Sequence, residues 1–204
     1  MTPWDKFFRE KTIKIFQDKN EIIDIGGGLR VLKNKGSRYD KNREWILPYL
    51  EKADYKILDV VDTYNPDIIG DIHKLPFPDN SVPAIFCLAV LQHVENPILA
   101  SQELYRVLKP GGYCMVYVPF LYYYHASKGY YNDYWRFSED AVDYLFKNFS
   151  VLEKQAVRGA AETWLKISPL GRVEILNKIA NKIDRLTGKI KSHQVSGFHI
   201  FLVK

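Results

Sequence analysis

The chain has 204 residues, of which 47% are apolar and 14% aromatic, so it can bury the core of a single domain. It contains no run of about 18 uninterrupted apolar residues, and its first residues lack the apolar block of a secretory signal. We therefore expect one soluble domain over residues 1–204 and a cytoplasmic location. The two cysteines, Cys87 and Cys114, each lie in an apolar run, which favours reduced, structural thiols and excludes a cysteine-rich zinc cluster.

The net charge of +5 is distributed unevenly along the chain. Residues 166–191 hold seven basic side chains against two acidic ones, and residues 30–43 hold six against one. The acidic side chains concentrate between residues 54 and 103. This distribution favours an anionic substrate or surface as partner, with an ordinary solvated basic face as the alternative.

The first elements are a helix, a strand and a glycine-rich turn. Residues 3–17 carry apolar side chains at helical spacing, which predicts an amphipathic helix. Residues 22–25 form an apolar, β-branched run that three glycines, 26–28, stop abruptly. A glycine turn lets the backbone come close to a ligand, and Asp24 adds a carboxylate at the same place. We interpret this stretch as a candidate binding loop, with a plain turn as the alternative.

The rest of the chain alternates between strand and helix patterns. Further strands are predicted over residues 55–62, 67–72, 84–89, 113–119, 149–157 and 198–203. A helix is predicted over 98–108, and Ser138 is expected to cap another. This alternation predicts an α/β fold with a parallel sheet and helices on both faces. Ligands of such sheets bind at the carboxyl ends of the strands, where Asp24, Asp59 or Asp62, and Asp71 are expected to converge.

Four ordered segments resemble those of class I S-adenosylmethionine-dependent methyltransferases. They are Ile-Asp-Ile-Gly-Gly-Gly at 23–28, Asp-Ile-Ile-Gly-Asp-Ile-His-Lys-Leu-Pro-Phe at 67–77, Val-Leu-Gln-His-Val-Glu-Asn-Pro at 90–97 and Glu-Leu-Tyr-Arg-Val-Leu-Lys-Pro-Gly-Gly at 103–112. The similarity covers about residues 20–150 and is closest to the small-molecule-type branch with the LPF…LEHV…RVLKPGG series. The chain departs from the pattern at Leu29 and Arg30, where a further glycine is usual, at Gln92, where an acid is usual, and at Pro83, where aspartate is usual.

The resemblance implies a fold, a cofactor and a set of cofactor contacts. The fold is a Rossmann-like three-layer sandwich with a mostly parallel seven-stranded sheet and an antiparallel last strand, and the cofactor is S-adenosyl-L-methionine. The loop that would hold the methionine part of the cofactor consists of Asp24, Gly26, Gly27 and Gly28. Asp59 would accept hydrogen bonds from the ribose hydroxyls, with Asp62 as the alternative, and Asp71 would receive the adenine amino group. The backbone of Ile72 would face the ring edge, and Leu88 would lie under the methionine.

Methyl transfer needs the acceptor atom in line with the methyl group, and it requires no metal ion. An oxygen acceptor also benefits from a general base, for which histidine is suited near neutral pH. His93 and His125 follow two predicted strands, and with Tyr124 and Asp133 they are the candidate catalytic residues. The acceptor is expected to be a small molecule or glycan-like, methylated at oxygen.

Residues 120–137 contain seven tyrosines or tryptophans and follow a predicted strand. Such side chains can stack on a sugar or ring, or surround a sulfonium. We interpret this segment as an aromatic loop on the substrate side, with a plug over the sheet as the alternative.

A long basic insert, residues 158–195, separates the last two predicted strands. Apolar residues three or four apart predict a basic amphipathic helix over 172–191. This helix either caps the pocket, which is the preferred interpretation, or contacts an anionic surface or a peripheral membrane. Two other functions stay open at this point: an RNA-binding methyltransferase or adaptor that uses the basic segments, and a cofactor-binding protein without turnover. Nucleic acid is the less favoured partner because no RNA-binding module is recognisable.

Overall fold

The computed structural model describes residues 1–35 and 39–204. The predicted basic stretch 30–43 is therefore described except for residues 36–38, which include Arg38. In these described residues, seven strands form one sheet in the order β3-β2-β1-β4-β5-β7-β6. The strands are β1 (Glu21–Ile25), β2 (Asp54–Asp59), β3 (Ile68–Ile69), β4 (Val82–Leu88), β5 (Leu108–Pro119), β6 (Val151–Val157) and β7 (Gly197–Val203).

The strands β1 to β5 pair in parallel, whereas β7 pairs antiparallel with both β5 and β6. The predicted α/β fold, with a mostly parallel seven-stranded sheet and an antiparallel last strand, is confirmed. Because β1 and β4 are central and buried on both faces, they consist of apolar runs instead of alternating polar and apolar residues. Cys87 and Cys114 lie buried on neighbouring strands as free thiols.

Helices cover both faces of the sheet. They are α1 (Pro3–Asp18), α2 (Leu47–Leu50), α3 (Pro97–Val107), α4 (Glu139–Leu145), α5 (Ala160–Ile167) and α6 (Glu174–Leu186). Side chains of α1 and α2 pack on one face around Phe86, and those of α3 and α4 pack on the other face around Val116. Ser138 caps α4, as predicted, by accepting a hydrogen bond from the Ala141 amide at 3.3 Å. No helix in the described part of the chain is long and apolar enough to cross a bilayer.

Several predicted boundaries differ from the structure, and the strand predicted over residues 67–72 is only Ile68–Ile69. Strand β2 ends at Asp59 instead of residue 62, because residues 62–64 turn into a 3₁₀ helix that ends at Asn65 in a left-handed conformation. Asp62 is consequently exposed and does not end a strand. The predicted basic helix over 172–191 is the shorter helix α6, which Gly188, with φ of 74°, separates from a final 3₁₀ turn.

The insert between β6 and β7 is a pair of packed helices, α5 and α6. Asp184 on α6 is fully buried, and its carboxylate accepts hydrogen bonds from the amides of Ala161 at 2.8 Å and Glu162 at 2.9 Å. These amides belong to the first turn of α5, where a carboxylate is favoured by unsatisfied N–H groups. Gly159 makes this contact possible, since an added Cβ would lie 2.5 Å from Asp184 Cγ. The two helices are therefore fixed to each other at the sheet end of the insert.

Candidate active site

One large cleft runs along the carboxyl edge of the sheet, with a volume of about 1140 Å³. Small-ligand sites typically measure roughly 300–1,000 Å³, so the cleft has room for more than one small molecule. One half is formed by residues after β1, β2 and β4, and the other half by the aromatic segment 120–137 and the ends of β6 and β7.

The glycine loop after β1 is held from inside by Asp24. This carboxylate is fully buried and accepts hydrogen bonds from the amides of Gly28 at 3.0 Å and Leu29 at 2.9 Å and from the Tyr55 hydroxyl at 2.5 Å. Burial raises the pKa of Asp24 to about 6, against the lowering effect of these three donors. Because both oxygens are used within the protein, Asp24 orders the loop and does not line the cleft.

The glycines have different roles in this loop. Gly26 lines the cleft with φ of 75°, a left-handed conformation that favours glycine. Gly27 adopts the same conformation but is buried away from the cleft. Gly28 packs against β4, where an added Cβ would lie 2.6 Å from Leu88 Cβ. The loop can therefore pass close to the floor of the cleft.

Asp59, at the end of β2, lines the cleft, whereas Asp62 does not. The Val61 amide donates to one Asp59 oxygen at 3.2 Å, which leaves the other oxygen available to a ligand. Burial raises the pKa of the Asp59 carboxyl against the lowering effect of nearby backbone amides. Between the two alternatives left open by the sequence, the geometry favours Asp59 as the partner of a vicinal diol.

Asp71 lies at the same edge and is oriented by His73. Nε2 of His73 accepts from the Asn96 amide at 3.2 Å, so Nδ1 carries the proton and donates to Asp71 Oδ1 at 2.7 Å. The His73 amide donates to the same oxygen at 2.8 Å. Burial raises the pKa of Asp71, but the bonds from His73 outweigh it and hold the pKa below its usual value. Asp71 is thus a fixed anion with its second oxygen free of these bonds.

The loop that follows Asp71 is fixed to α3 by one arginine. Arg106 donates to the backbone oxygens of Leu75 at 3.1 Å and Phe77 at 2.9 Å. It also binds the carboxylates of Glu103 at 2.6 Å and Asp79 at 2.7 Å. Glu103 in turn accepts from the Leu75 amide at 2.8 Å. These bonds hold the segment after Asp71 rigidly at the cleft.

Apolar surface lies between these acids. Val60, which follows β2, is 63% exposed. Ile72 and Leu88 add further apolar side chains to the cleft wall. An apolar wall with carboxylates at two positions fits a nucleoside, whose ring is flat and whose hydroxyl and amino groups donate hydrogen bonds. The residues present therefore fit S-adenosylmethionine.

Two histidines face each other in the other half of the cleft, with ring centres 4.8 Å apart. Nδ1 of His93 lies 2.6 Å from the Asn132 carbonyl oxygen, so it carries the proton and Nε2 keeps its lone pair. Burial lowers the pKa of His93, which favours the neutral ring. Nδ1 of His125 lies 3.1 Å from the Tyr123 carbonyl oxygen, and its Nε2 lies 3.5 Å from Gln92 Nε2.

The aromatic segment is fastened over the 91–94 stretch by backbone hydrogen bonds. The amides of Tyr134 and Trp135 donate to the Gln92 carbonyl oxygen at 2.8 and 3.2 Å, and the Trp135 indole donates to the Val94 carbonyl oxygen at 2.8 Å. Large side chains nevertheless stay open to solvent, at 42–74% exposure, in Tyr123, Tyr124, Tyr130, Tyr134 and Trp135. All of these side chains except Trp135 line the cleft, which favours a ligand-facing surface over a plug above the sheet.

Asp133 is a structural anion inside this segment. Its side chain is fully buried and forms a two-pronged ion pair with Arg136, at 2.6 and 2.7 Å. It also accepts from the His125 amide at 2.9 Å. Burial raises the pKa of Asp133, but Arg136 and His125 outweigh it and bring the pKa to about 2. Because both oxygens of Asp133 are used by these contacts, its carboxylate positions His125 and the loop. The predicted catalytic role would instead need a carboxylate oxygen that is open to the cleft.

Two arginines, Arg43 and Arg158, contribute to the cleft wall together with His199. Nδ1 of His199 is buried without a hydrogen-bond partner among the described residues. Burial, reinforced by Arg43 and Arg158, lowers the pKa of His199 to about 3. Glu162 approaches Arg158 at 3.5 Å, whereas the Arg43 guanidinium reaches the Gly28 carbonyl oxygen at 2.5 Å. This part of the cleft wall is suited to an anion.

The structure brings most of the predicted site residues into one cleft. Those that line it are Gly26, Gly28, Asp59, Asp71, Ile72, Leu88, His93, Tyr124 and His125. Asp24, Gly27, Asp62 and Asp133 lie outside the lining. Sequence reasoning missed Arg158 and His199, because nothing in the local pattern around either residue distinguishes it from an ordinary strand or loop position.

The sequence comparisons identify methyltransferases. Residues 51–116 match the family described as "Methyltransferase domain". The ubiquinone/menaquinone biosynthesis C-methyltransferase UbiE of Pseudomonas fluorescens is 32% identical over 104 residues, 48% of this chain and 41% of that protein. The cycloartenol-C-24-methyltransferase of Arabidopsis thaliana is 27% identical over 103 residues, 47% of this chain and 30% of that protein. The chain spans less than half the length of these curated relatives.

Solved structures share the fold across nearly the whole chain. A SAM-dependent methyltransferase from Archaeoglobus fulgidus has a TM-score of 0.62 at 13% identity, covering 98% of this chain and 92% of that one. A SAM-dependent methyltransferase from Thermotoga maritima, described as a possible histamine N-methyltransferase, has a TM-score of 0.55 at 15% identity, covering 98% and 94%. At such identities the likeness shows a common fold.

Proposed function

We propose that the chain is a class I S-adenosylmethionine-dependent methyltransferase, which the match of residues 51–116 and the shared fold support, and that it transfers the methyl group of this cofactor to an oxygen of a small-molecule or glycan-like acceptor. The observation that carries the proposal is the convergence of Asp59, Asp71 and the glycine loop on one half of a cleft whose other half is aromatic and basic.

Each part of the cofactor has a matching feature in the cleft. Asp59 is placed to accept from the ribose hydroxyls and Asp71 from the adenine amino group, while Gly26 leaves room for the methionine part. When bound, the cofactor supplies an electrophilic methyl group. The protein holds the acceptor in line with it, and this positioning can provide most of the acceleration.

Cofactor affinity tests this assignment. We expect Asp59→Ala and Asp71→Ala each to raise the Kd for S-adenosylmethionine by about 10–100-fold, since each loses a hydrogen bond to a charged group. Asp62→Ala is the matched control: the same substitution three residues from Asp59, at an exposed carboxylate outside the cleft. Isothermal titration calorimetry measures all three variants. Absence of binding by the native protein would refute the proposed function, and an effect of Asp62→Ala as large as that of Asp59→Ala would refute the ribose assignment.

The acceptor half supports an oxygen nucleophile. Neutral His93 presents an unprotonated Nε2 in the cleft and can take the hydroxyl proton as the methyl group is transferred. The exposed tyrosines of the aromatic segment offer flat surfaces against which a sugar ring can stack. His125 is the second base candidate, and exposed Tyr124 can contact the acceptor.

The basic part of the cleft wall supports an acceptor that carries a carboxylate or phosphate group. Arg158 is placed to pair with this group, because its guanidinium lies on the cleft wall beside His199. A screen of alcohols and sugars in neutral and anionic forms, with formation of S-adenosylhomocysteine as readout, identifies the acceptor class.

Arg158→Gln tests the anion preference. We expect this substitution to raise the KM for an anionic acceptor by about tenfold or more and to change kcat little. The reason is that the anionic group of the acceptor loses a charge-assisted hydrogen bond from Arg158. Arg172→Gln, at an exposed arginine of the insert, is the control. Turnover of neutral and anionic acceptors with equal kcat/KM by the native protein would contradict the preference and leave methyl transfer itself unaffected.

A further inference from the structure

Helix α6 presents its large apolar side chains to solvent instead of to the protein. Ile175, Ile179, Ile183 and Leu186 are 62%, 49%, 46% and 77% exposed. Their spacing of four, four and three residues places them in one row, which we call the outer face. The two buried positions of α6 are Ala180 and Asp184, and Leu176 is half-buried beside them. An amphipathic helix on a globular protein normally has the reverse orientation, so the outer face requires an explanation.

The preferred interpretation from the sequence is that this helix caps the pocket, and the lining of the cleft does not support it. None of the residues 159–196, all of which are described, lines the cleft. The reason is the buried carboxylate of Asp184, which needs the first-turn amides of α5 and therefore turns its own side of α6 inward.

The orientation of α6 is fixed by more than one contact. Asn181 donates to Glu162 Oε2 at 2.8 Å on the same inward side as the Asp184 cap. Rolling the isoleucines inward would break these bonds and leave the Asp184 carboxylate buried without donors, which is costly. The outer face is consequently held open to solvent by polar contacts on the opposite side of the helix.

Cations border the outer face. Lys178, Lys182 and Arg185 repeat with the same spacing of four and three residues and are exposed in the neighbouring row. The acids of α6 are Glu174, in the first turn, and the buried Asp184. The outer face is therefore an apolar row with a basic edge. Helix α5 and the turn after it expose three further apolar side chains: Trp164, Ile167 and Leu170.

We propose that the outer face of α6 binds the surface of a membrane that contains anionic lipids. An apolar row inserts between lipid headgroups while the adjoining lysines and arginine contact their phosphates, and this combination is characteristic of interfacial helices. Nucleic acid would use the basic row and leave the apolar row exposed to water. A second copy of the chain would present the same patch, in which Glu174 is the one exposed acid of α6, so the basic row would lack an acidic row to pair with. The charge pattern therefore favours a lipid surface.

Cosedimentation with vesicles tests the proposal without requiring cofactor or acceptor. We expect the native protein to bind vesicles of phosphatidylglycerol and phosphatidylcholine at low salt, with weaker binding at high salt and on pure phosphatidylcholine. Ile179→Ser/Ile183→Ser should lower the partition coefficient by about 100-fold, because two apolar side chains no longer enter the bilayer. Lys178→Gln/Lys182→Gln should lower it by about 20–30-fold at low salt, at about one kcal/mol per lysine.

Ile98→Ser/Leu99→Ser on α3 is the matched control, since these side chains are 46% and 39% exposed on a different helix. It should bind vesicles like the native protein, and thermal unfolding followed by circular dichroism verifies that every variant is folded. Three results would each overturn the proposal: no binding of the native protein to anionic vesicles, equal loss in the α3 control, or native self-association that the α6 isoleucine variant abolishes while vesicle binding persists.

Discussion

Asp24→Ala is expected to lower the free energy of unfolding by about 3–5 kcal/mol, because three buried donors lose their acceptor at once. These donors are the amides of Gly28 and Leu29 and the hydroxyl of Tyr55. For a chain of this length the loss corresponds to a fall in Tm of about 10 °C. Cofactor binding should be lost as well, since the glycine loop depends on these bonds for its shape. Thermal and urea unfolding measure the change.

The effect of Asp24→Ala should depend on pH with a defined sign. The folded-state pKa of Asp24 is about 6, above its ordinary value of 3.8, so the folded protein binds the proton more tightly than the unfolded chain. The contribution of Asp24 to stability therefore grows as the pH falls from 7 to 4, by up to about 3 kcal/mol. Asp62→Ala, which removes an exposed carboxylate, should change stability by less than about 0.5 kcal/mol at any of these pH values. Equal destabilisation by the two substitutions would show that Asp24 does not hold the loop.

His93→Ala is expected to lower kcat by about 100-fold or more, with a small effect on KM, if the acceptor atom is a hydroxyl oxygen. Burial lowers the pKa of His93, which favours the neutral ring. The kcat of the native enzyme should therefore decline as the pH falls, with a midpoint below the ordinary pKa of histidine. Added imidazole should restore part of the activity of His93→Ala. Kinetics with the acceptor found by the screen provide these measurements.

Two further variants separate catalysis by His93 from its structural contact. His93→Asn keeps a donor for the Asn132 carbonyl oxygen and removes the base, so it should lose as much kcat as His93→Ala. His125→Ala removes the neighbouring ring and should retain most of the activity. If His125→Ala abolishes the pH dependence of kcat and His93→Asn does not, the general base is His125 and not His93.

The sequence predicted the cofactor half of the cleft because its signals are local. A strand pattern that stops at glycines or at an aspartate places that residue at the carboxyl edge, and parallel pairing brings Asp59 and Asp71 to the same edge. Two of the four segments that resemble methyltransferase motifs also contact each other in this chain. Arg106 binds the backbone of Leu75 and Phe77, so the segments 67–77 and 103–112 form one unit that supports the loop after Asp71.

The insert and the acceptor half of the cleft were less predictable, because both depend on contacts between distant parts of the chain. Apolar spacing in α6 predicts one apolar face, but it does not determine whether that face turns inward. The Asp184 cap determines this, and it requires the first turn of α5 more than twenty residues away. His199 and Arg158 meet at the cleft only because β7 lies beside β6 in antiparallel register.

The way in which the insert joins the sheet also bears on how this protein can diverge or be engineered. Val157 and Gly197 are paired partners at the ends of β6 and β7, and the Ser196 amide donates to the Val157 carbonyl oxygen at 3.0 Å. The two strands thus fix both ends of the segment that connects them, and the entropy of closing such a loop rises only slowly with its length. Residues 159–196 line no part of the cleft, so we expect that their helices can be replaced by those of another enzyme while the seven strands and the cofactor half of the cleft keep their register.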